Sequence, residues 1–223
     1  MPTTPLLDQT LGDLALGICG ATTLFHRYAL DFCCGGEQTL GRAAAAAGLD
    51  AAEIAQGLHA LVYAPQDNAC DWRSVSQQDL IDHLINRYHE VHRKQLPELL
   101  RLARKVEAVH AGRPECPHGL ADHLRAMAQE MELHMQKEER ILFPLLLQGI
   151  PPEKLPPVEM MRLEHKQHGQ ALAQMMILAR QLVMPEDVCP TWRALHAGLS
   201  TFRSDLMDHI HLENNLLFRQ NPG

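Results

Sequence analysis

Two segments of the sequence carry the same two residue types at the same spacing, His134-x-x-x-Glu138 and His209-x-x-x-Glu213. Residues four apart lie about one turn apart on one face of an α-helix, so each imidazole and carboxylate can converge on one point. Imidazole is the commonest metal ligand among the side chains, and a carboxylate adds a hard anionic oxygen. The residue types and their spacing therefore predict metal binding.

The position of each pair along its helix separates metal binding from a simpler alternative. One His-x-x-x-Glu taken alone could equally be a local hydrogen-bonded pair. Here each pair interrupts an apolar stripe with alternating spacings of three and four, which predicts that it faces a core. The stripes are Leu124, Met127, Met131, His134, Glu138, Ile141, Leu145 and Leu195, Leu199, Phe202, Leu206, His209, Glu213, Leu216. Since a buried carboxylate is costly without a cation, two such carboxylates favour a shared metal centre.

Two further stripes each offer a choice of histidines, His89 or His92 in one and His165 or His168 in the other. The periodicity does not choose between them. One histidine from each stripe would give four imidazoles and two carboxylates in total, which suits two ions bridged by the carboxylates, with oxo or water completing the shell. These donors would also take manganese, zinc or copper, so ligand type does not fix the metal.

The elements that must position these residues are four long helical segments, expected at about 76–109, 119–148, 157–184 and 191–219. Short, turn-rich connections between them predict an all-α antiparallel four-helix bundle. Pro97 and Pro144 are expected to kink the first two segments or to mark their last turns. The predicted organisation is a small helical N-terminal domain over 1–64, a linker over 65–76 and the bundle over 77–223.

The N-terminal domain is expected to contain short helices separated by a cysteine-bearing turn. Thr10 and Asp13 would open a helix that runs through Phe25, and two more are expected over 39–47 and 50–63. Between them, Cys33 and Cys34 precede paired glycines, which leave the backbone free to turn. The N-terminus of the helix near residue 39 could lower a thiol pKa. Four other cysteines have no partner by spacing and are expected to be ordinary residues: Cys19, Cys70, Cys116 and Cys189.

Composition excludes several classes of protein. Hydrophobic residues make up 46% and charged residues 21%, which is typical of a globular chain and not of a disordered one. The net charge of −7 argues against nucleic acid as a partner. No membrane span or signal peptide is predicted, so the expected location is the cytoplasm, with reduced thiols. Nucleophile–base triads and phosphate-cradling loops are not recognised either.

Several motifs occur in order along the chain. They are Cys33-Cys34-Gly35-Gly36, Asp82-His83, Arg87-Tyr88-His89, the runs 95–99 and 134–144, Glu164-His165 and the run 208–215. Together they resemble the di-iron proteins for repair of iron centres, which restore iron–sulfur clusters damaged by nitric oxide or oxidants. The resemblance covers nearly the whole chain. The His-before-Glu order and the spacing of four are typical of hemerythrin-like bundles and not of ferritin-like Glu-x-x-His sites.

This resemblance implies a ligand set for two non-haem iron ions per chain, bridged by Glu138 and Glu213 with oxo or hydroxo. The implied ligands are His89, His134, Glu138, His165, His209 and Glu213. His89 is thereby chosen over His92, and His165 over His168, an extra histidine that could be an indirect partner or an alternative ligand. Glu130 and Glu164 are candidates for orienting a ligand or forming an iron path, and the alternative for each is a solvated glutamate on a helix flank.

The implied function is a stress response in which iron leaves the centre for damaged iron-sulfur proteins, with Cys33 and Cys34 assisting by a thiol role. Two alternatives are an enzyme that reduces nitric oxide at the reduced di-iron site and a module that binds or senses oxygen or nitric oxide. The alternative of an oxygen or nitric oxide module leaves the cysteine domain without a role. A homo-oligomer is left open, and neither a membrane nor nucleic acid is expected as a partner.

Overall fold

A computed structural model of the chain describes residues 5–63 and 72–219. Within these two ranges the structure is helical and contains no strand, apart from an isolated bridge between Thr10 and Thr39. The all-α prediction is thereby confirmed. Most of the predicted linker, and Cys70 with it, lies outside the described residues. In the described part of the chain, every helix is too short or too polar to cross a membrane.

One compact unit is formed by residues 1–80 together with 207–223. Its helices are α1 (Leu11–Gly17), α2 (Ala21–Arg27), α3 (Leu40–Ala47) and α4 (Ala51–Tyr63). Threonine hydroxyls cap α1 and α3, where Thr10 accepts from the Asp13 backbone N–H and Thr39 from that of Arg42. Such caps satisfy N–H groups that the first turn of a helix leaves without intrahelical partners.

The prediction of one helix from Thr10 through Phe25 is wrong, because the chain turns between α1 and α2. Ile18 is extended, and Gly20 has a φ of 83°, in the left-handed region where glycine meets little steric cost. The break lets both short helices bury apolar side chains in the core of this unit. Its fully buried members include Leu11, Leu14, Phe25, Phe32, Leu40, Ile54 and Leu58.

The other unit, residues 81–206, contains the four-helix bundle. Its elements are α5 (Gln77–His83, beginning just before the unit), α6 (Glu90–Val109), α7 (Leu120–Lys137), α8 (Phe143–Leu147), α9 (Pro156–Leu178) and α10 (Pro190–Leu212), whose last turns belong to the first unit. Pro97 lies inside α6, and Pro144 is in the first turn of α8. The third predicted helix is too long, since α9 ends at Leu178 and the backbone then takes positive φ values at 180–182.

In the described part of the chain, three π-helical turns interrupt the bundle helices, at Leu84–His89, Glu138–Leu142 and Glu213–Leu217. Each contains one predicted metal ligand, and π turns of this kind occur frequently at functional sites. A π turn holds an extra residue, so the apolar stripe that follows it moves by one position. Ile141, predicted to face the core, is 52% exposed, whereas Leu142 is 1% exposed. The expectation for Ile141 is therefore wrong.

Candidate metal centre

The carboxylate of Glu138 is the centre of a buried cluster in the bundle. Its side chain is fully buried, and neither of its oxygens accepts a hydrogen bond from the residues that the structure describes. Imidazole nitrogens nevertheless lie close to it. His134 Nε2 is 3.2 Å and His165 Nε2 is 3.9 Å from Oε1, and His89 Nε2 is 3.5 Å from Oε2. Three helical segments thus bring one nitrogen each to the same carboxylate.

Two of these imidazoles are hydrogen-bonded through their Nδ1 atoms to further carboxylates. His89 Nδ1 lies 2.7 Å from Glu139 Oε1, and His134 Nδ1 lies 2.8 Å from Glu164 Oε2. The hydrogen bonds from the two histidines are the main reason why the pKa values of Glu139 and Glu164 fall to about 2. Hydrogen bonds from Arg93 and Lys137 lower these pKa values further, Arg93 that of Glu139 and Lys137 that of Glu164.

This arrangement fixes the tautomers of the two histidines. An ionised carboxylate can only accept a hydrogen bond, so each Nδ1 carries a proton, and in the neutral imidazole this leaves the lone pair on Nε2. Carboxylates commonly orient metal-binding histidines in this way. Between the rings, the Nε2 atoms of His134 and His165 are 3.1 Å apart.

Electrostatics make this cluster unfavourable without a cation. The Nε2 atoms of His89 and His134 and the carboxylate of Glu138 face one another with almost no solvent to separate them. A buried charge costs free energy unless it is paired, and the orphaned oxygens of Glu138 are the clearest sign of the missing partner. Imidazole nitrogen and carboxylate oxygen are donors for iron, manganese or zinc. The residues present therefore fit a metal ion.

The structure also separates the alternative histidines. His92 belongs to a different polar group, because its Nδ1 is 3.1 Å from Gln95 Oε1, and the Gln95 amide donates to Asp205. The His92 ring packs edge-on against Phe202. His168 is buried and contacts the side of the His134 ring, with ring centroids 4.7 Å apart.

The second His-x-x-x-Glu pair is described within the first unit. His209 Nε2 and Glu213 Oε1 are 3.2 Å apart, and both residues are buried. The structure thus brings His89, His134, Glu138 and His165 together in one unit and pairs His209 with Glu213 in the other.

Among the secondary candidates, Glu164 contacts a predicted ligand, whereas Glu130 is exposed on α7. Sequence reasoning missed Glu139. Its partner His89 lies on another helix, so spacing along one helix gave no signal, and only its place next to Glu138 could have indicated a role.

The cysteine turn has geometry that differs from the expectation. Cys33 and Cys34 place their sulfurs 4.0 Å apart, and the Cys33 thiol lies 3.3 Å from Asp31 Oδ1. The hydrogen bond with Cys34 is the main cause that raises the pKa of Cys33 well above its usual range, with burial second. A helix N-terminus therefore does not lower it.

Gly35 and Gly36 are needed because the backbone packs too closely there for a side chain, and not because of unusual backbone angles. Neither has a positive φ. A Cβ on Gly35 would lie 2.9 Å from the Asp31 carbonyl oxygen, and one on Gly36 would lie 2.7 Å from that of Phe32.

Elsewhere in this unit, Cys19 is disulfide-bonded, contrary to the expectation of an ordinary thiol.

Comparisons with known proteins agree with this geometry. The hemerythrin HHE cation binding domain matches residues 80–220, and ScdA_N, a domain of unknown function, matches residues 7–62. Fold and donor set thus define a hemerythrin-type, cation-binding helical protein.

Relatives with known names extend this class to a particular family. The chain is 49% identical over 211 residues to the iron-sulfur cluster repair protein YtfE of Pectobacterium atrosepticum. It is 47% identical to that of Yersinia pseudotuberculosis and 46% identical to that of Escherichia coli, and each match covers 95% of both chains. The chain belongs to the family of YtfE-type iron-sulfur cluster repair proteins.

Proposed function

We propose that this chain repairs iron–sulfur clusters damaged by nitrosative or oxidative stress and that it supplies iron from a non-haem di-iron centre. The names of its relatives and their match over nearly the full length support cluster repair. The observation that carries the proposal is the buried Glu138 carboxylate, which accepts no hydrogen bond from the described residues although three imidazole nitrogens surround it. Cytoplasmic localisation stays a prediction of the sequence.

The proposed ligands are His89, His134, Glu138, His165, His209 and Glu213, with Glu138 and Glu213 as bridges. The last helix contributes its pair because His209 and Glu213 repeat the spacing of His134 and Glu138, each on a buried helix face. When bound, two irons would supply a redox-active centre whose metal can be given up.

The protein's own residues set how firmly such a centre is held. Glu139 and Glu164 keep protons on the outer nitrogens of His89 and His134, so the inner nitrogens remain available as donors. Two of the proposed ligands, Glu138 and Glu213, are carboxylates, which bind a metal in their deprotonated form. The iron that leaves is the cargo, and an iron-sulfur protein with a damaged cluster is the partner. Cys33 and Cys34 are proposed to assist with a thiol role.

Metal analysis tests the proposed centre. Protein purified from iron-replete cells is expected to contain about two irons per chain by elemental analysis. Glu138→Gln keeps the shape of the side chain and removes its charge, so this variant should lose most of the iron. Glu159→Gln, an exposed change on α9, is the matched control and should keep it. Little iron in a folded wild type would contradict the centre.

Repair is tested by mixing the loaded protein with a nitric-oxide-treated [4Fe–4S] protein. We expect the cluster absorbance to return as iron leaves the loaded chain in a fixed ratio. Loss of nitric oxide over many turnovers in the presence of a reductant, with iron retained, would instead support the nitric oxide reductase alternative. Reversible ligand binding without iron loss would support the sensor alternative.

A further inference from the structure

The side-chain amides of Asn214 and Asn215 hold the turn that carries the two cysteines. Asn214 Nδ2 donates to the Cys33 carbonyl oxygen at 3.1 Å. Asn215 Nδ2 donates to the Phe32 carbonyl oxygen at 3.1 Å and lies 3.4 Å from that of Cys33. All of these contacts are buried. We refer to residues 31–36 as the dithiol turn and to these amide–carbonyl contacts as the amide latch.

Packing around the latch shows that it is a built feature. The Asn215 Oδ1 atom would lie 2.7 Å from a Cβ on Gly12 and 2.5 Å from one on Gly36. Both positions therefore need glycine to make room for the Asn215 side chain. Gly12 also donates its backbone N–H to the Gly36 carbonyl at 2.8 Å, which closes the other side of the turn.

The same helical turn carries one of the proposed metal ligands. Glu213, Asn214 and Asn215 are consecutive in the π-helical turn Glu213–Leu217. A π turn is a marginal backbone arrangement, and fixing one of its side chains restricts its neighbours. A metal held by Glu213 would thus steady the backbone from which both amides project.

The geometry points to Asn214 and Asn215 as positioning residues that couple metal binding at His209 and Glu213 to access to Cys33 and Cys34. In this structure the latch is closed and Cys33 is 5% exposed. Bound metal would hold the latch closed for more of the time. With metal lost, the turn Glu213–Leu217 loosens, the latch opens more often and the buried Cys33 thiol becomes reachable beside the half-buried Cys34 thiol. This inference rests on the proposed function, since it would present the dithiol when iron has been delivered.

Thiol alkylation measures the coupling directly. Iodoacetamide is applied to the full chain, and the tryptic peptide 28–42, in which Cys33 and Cys34 are the two cysteines, is followed by mass spectrometry. We expect iron-loaded wild type to react most slowly and chelator-stripped wild type to react faster. Asn214→Ala/Asn215→Ala should react fastest, about tenfold above the loaded wild type, because each buried hydrogen bond contributes to keeping the turn closed.

Iron content and a control variant complete the design. The double variant should still bind iron, since neither asparagine is a proposed ligand. Asn86→Ala removes an exposed side-chain amide that donates to the Asp82 carbonyl oxygen, and it should react like wild type. Alkylation of the double variant at the wild-type rate would overturn the latch, and equal rates for loaded and stripped wild type would overturn its coupling to metal.

The two proposals fail in different ways. Wild type that binds no iron contradicts the di-iron centre. In that case the alkylation rates of metal-free wild type and the double variant still test whether the amide latch closes the dithiol turn. If the double variant does not fold, hydrogen exchange of the amides in 31–36 replaces it. Greater protection in loaded than in stripped wild type supports the coupling, and equal protection overturns it.

Discussion

Single residues around Glu138 show how a sequence places a proposed metal ligand in a core. His134 and Glu138 are close because they lie one helical turn apart, and that much follows from spacing alone. Their orientation depends on Glu164, which comes from another helix and holds the outer nitrogen of His134. The inner nitrogens of His89 and His134 are therefore each oriented by a carboxylate that is not itself a proposed ligand.

Removal of these supporting carboxylates should weaken metal binding without abolishing it. We expect Glu139→Gln and Glu164→Gln each to lower iron affinity by roughly 10-fold to 100-fold, the usual effect of losing such a partner. Competition with a chelator of known affinity gives the measurement, with Glu159→Gln as the control. Unchanged affinity in both variants would show that the two histidines need no orienting partner.

Another buried histidine predicts a pH dependence of stability. The Trp192 indole N–H donates to His196 Nε2 at 3.0 Å, which requires a lone pair on that nitrogen, and burial lowers the pKa of His196 below 6.5. The unfolded chain takes up this proton at about pH 6.5. The contribution of His196 is therefore fully present above pH 6.5 and is lost as the pH falls from there through the lower folded pKa.

Replacing this histidine should flatten that dependence. Urea unfolding at pH 7.5 and 5.5 is expected to show a larger loss of free energy of unfolding for metal-free wild type than for metal-free His196→Gln. Glutamine can still accept from the indole and does not titrate. An equal loss in both proteins would assign the acid sensitivity to other groups.

At the scale of elements, the π turns set which side chains face the core. A regular heptad seam predicts Ile141 and Leu145 as core residues, and the helix instead buries Leu142 and Leu146. The extra residue of the turn Glu138–Leu142 causes this shift of one position.

Paired alanine substitutions test this register. Leu142→Ala should cost about 2–5 kcal/mol of unfolding free energy, since it empties a buried site. Ile141→Ala, at an exposed position of the same turn, should cost within about 0.5 kcal/mol. Thermal or urea unfolding of both variants gives the comparison. The reverse order would mean that the unbroken heptad describes the helix correctly.

Helix class and many approximate helix ends could be predicted from the sequence, because apolar periodicity and capping residues act over a few neighbours. The turn at Gly20 was missed, since the apolar positions of α1 and α2 happen to continue one pattern across it. The early end of α9 was missed for a similar reason, as 179–184 contains good helix formers.

Part of the candidate site could also be predicted from the sequence. Spacing gave His134 with Glu138 and His209 with Glu213, and the family resemblance chose His89, which the structure places beside Glu138. Glu139 as a partner of His89 and Asn215 as a partner of the dithiol turn depend on contacts between distant segments. No local pattern encodes such contacts.

On the scale of the whole molecule, the first unit is built from both ends of the chain. Asp208 lies 3.1 Å from His26, the His211 ring packs edge-on against Phe32, and Arg219 pairs with Asp13. These contacts come in addition to the amide latch. The N-terminal segment therefore depends on residues that follow Leu206 in sequence.

Residues 1–76 expressed alone are accordingly expected to fold poorly. Without residues 207–219, Phe32 loses part of its packing and the dithiol turn loses its buried donors, which costs several kcal/mol in a small unit. Circular dichroism melting and limited proteolysis, run beside the full chain, give the readout. A cooperative melt of the fragment near that of the full chain would contradict this dependence.

This discontinuity sets an order of events during synthesis. Cys33 and the Asn214 amide that binds its carbonyl are separated by 181 positions. At roughly 5–20 residues per second, about 10 to 35 s pass between their emergence from the ribosome. Throughout that interval the carbonyl oxygens of Phe32 and Cys33 lack the amide donors that hold the dithiol turn. Burial of the Cys33 thiol therefore begins only after residues 214 and 215 have been synthesised, and a ribosome stalled before them would leave this thiol open for as long as the stall lasts.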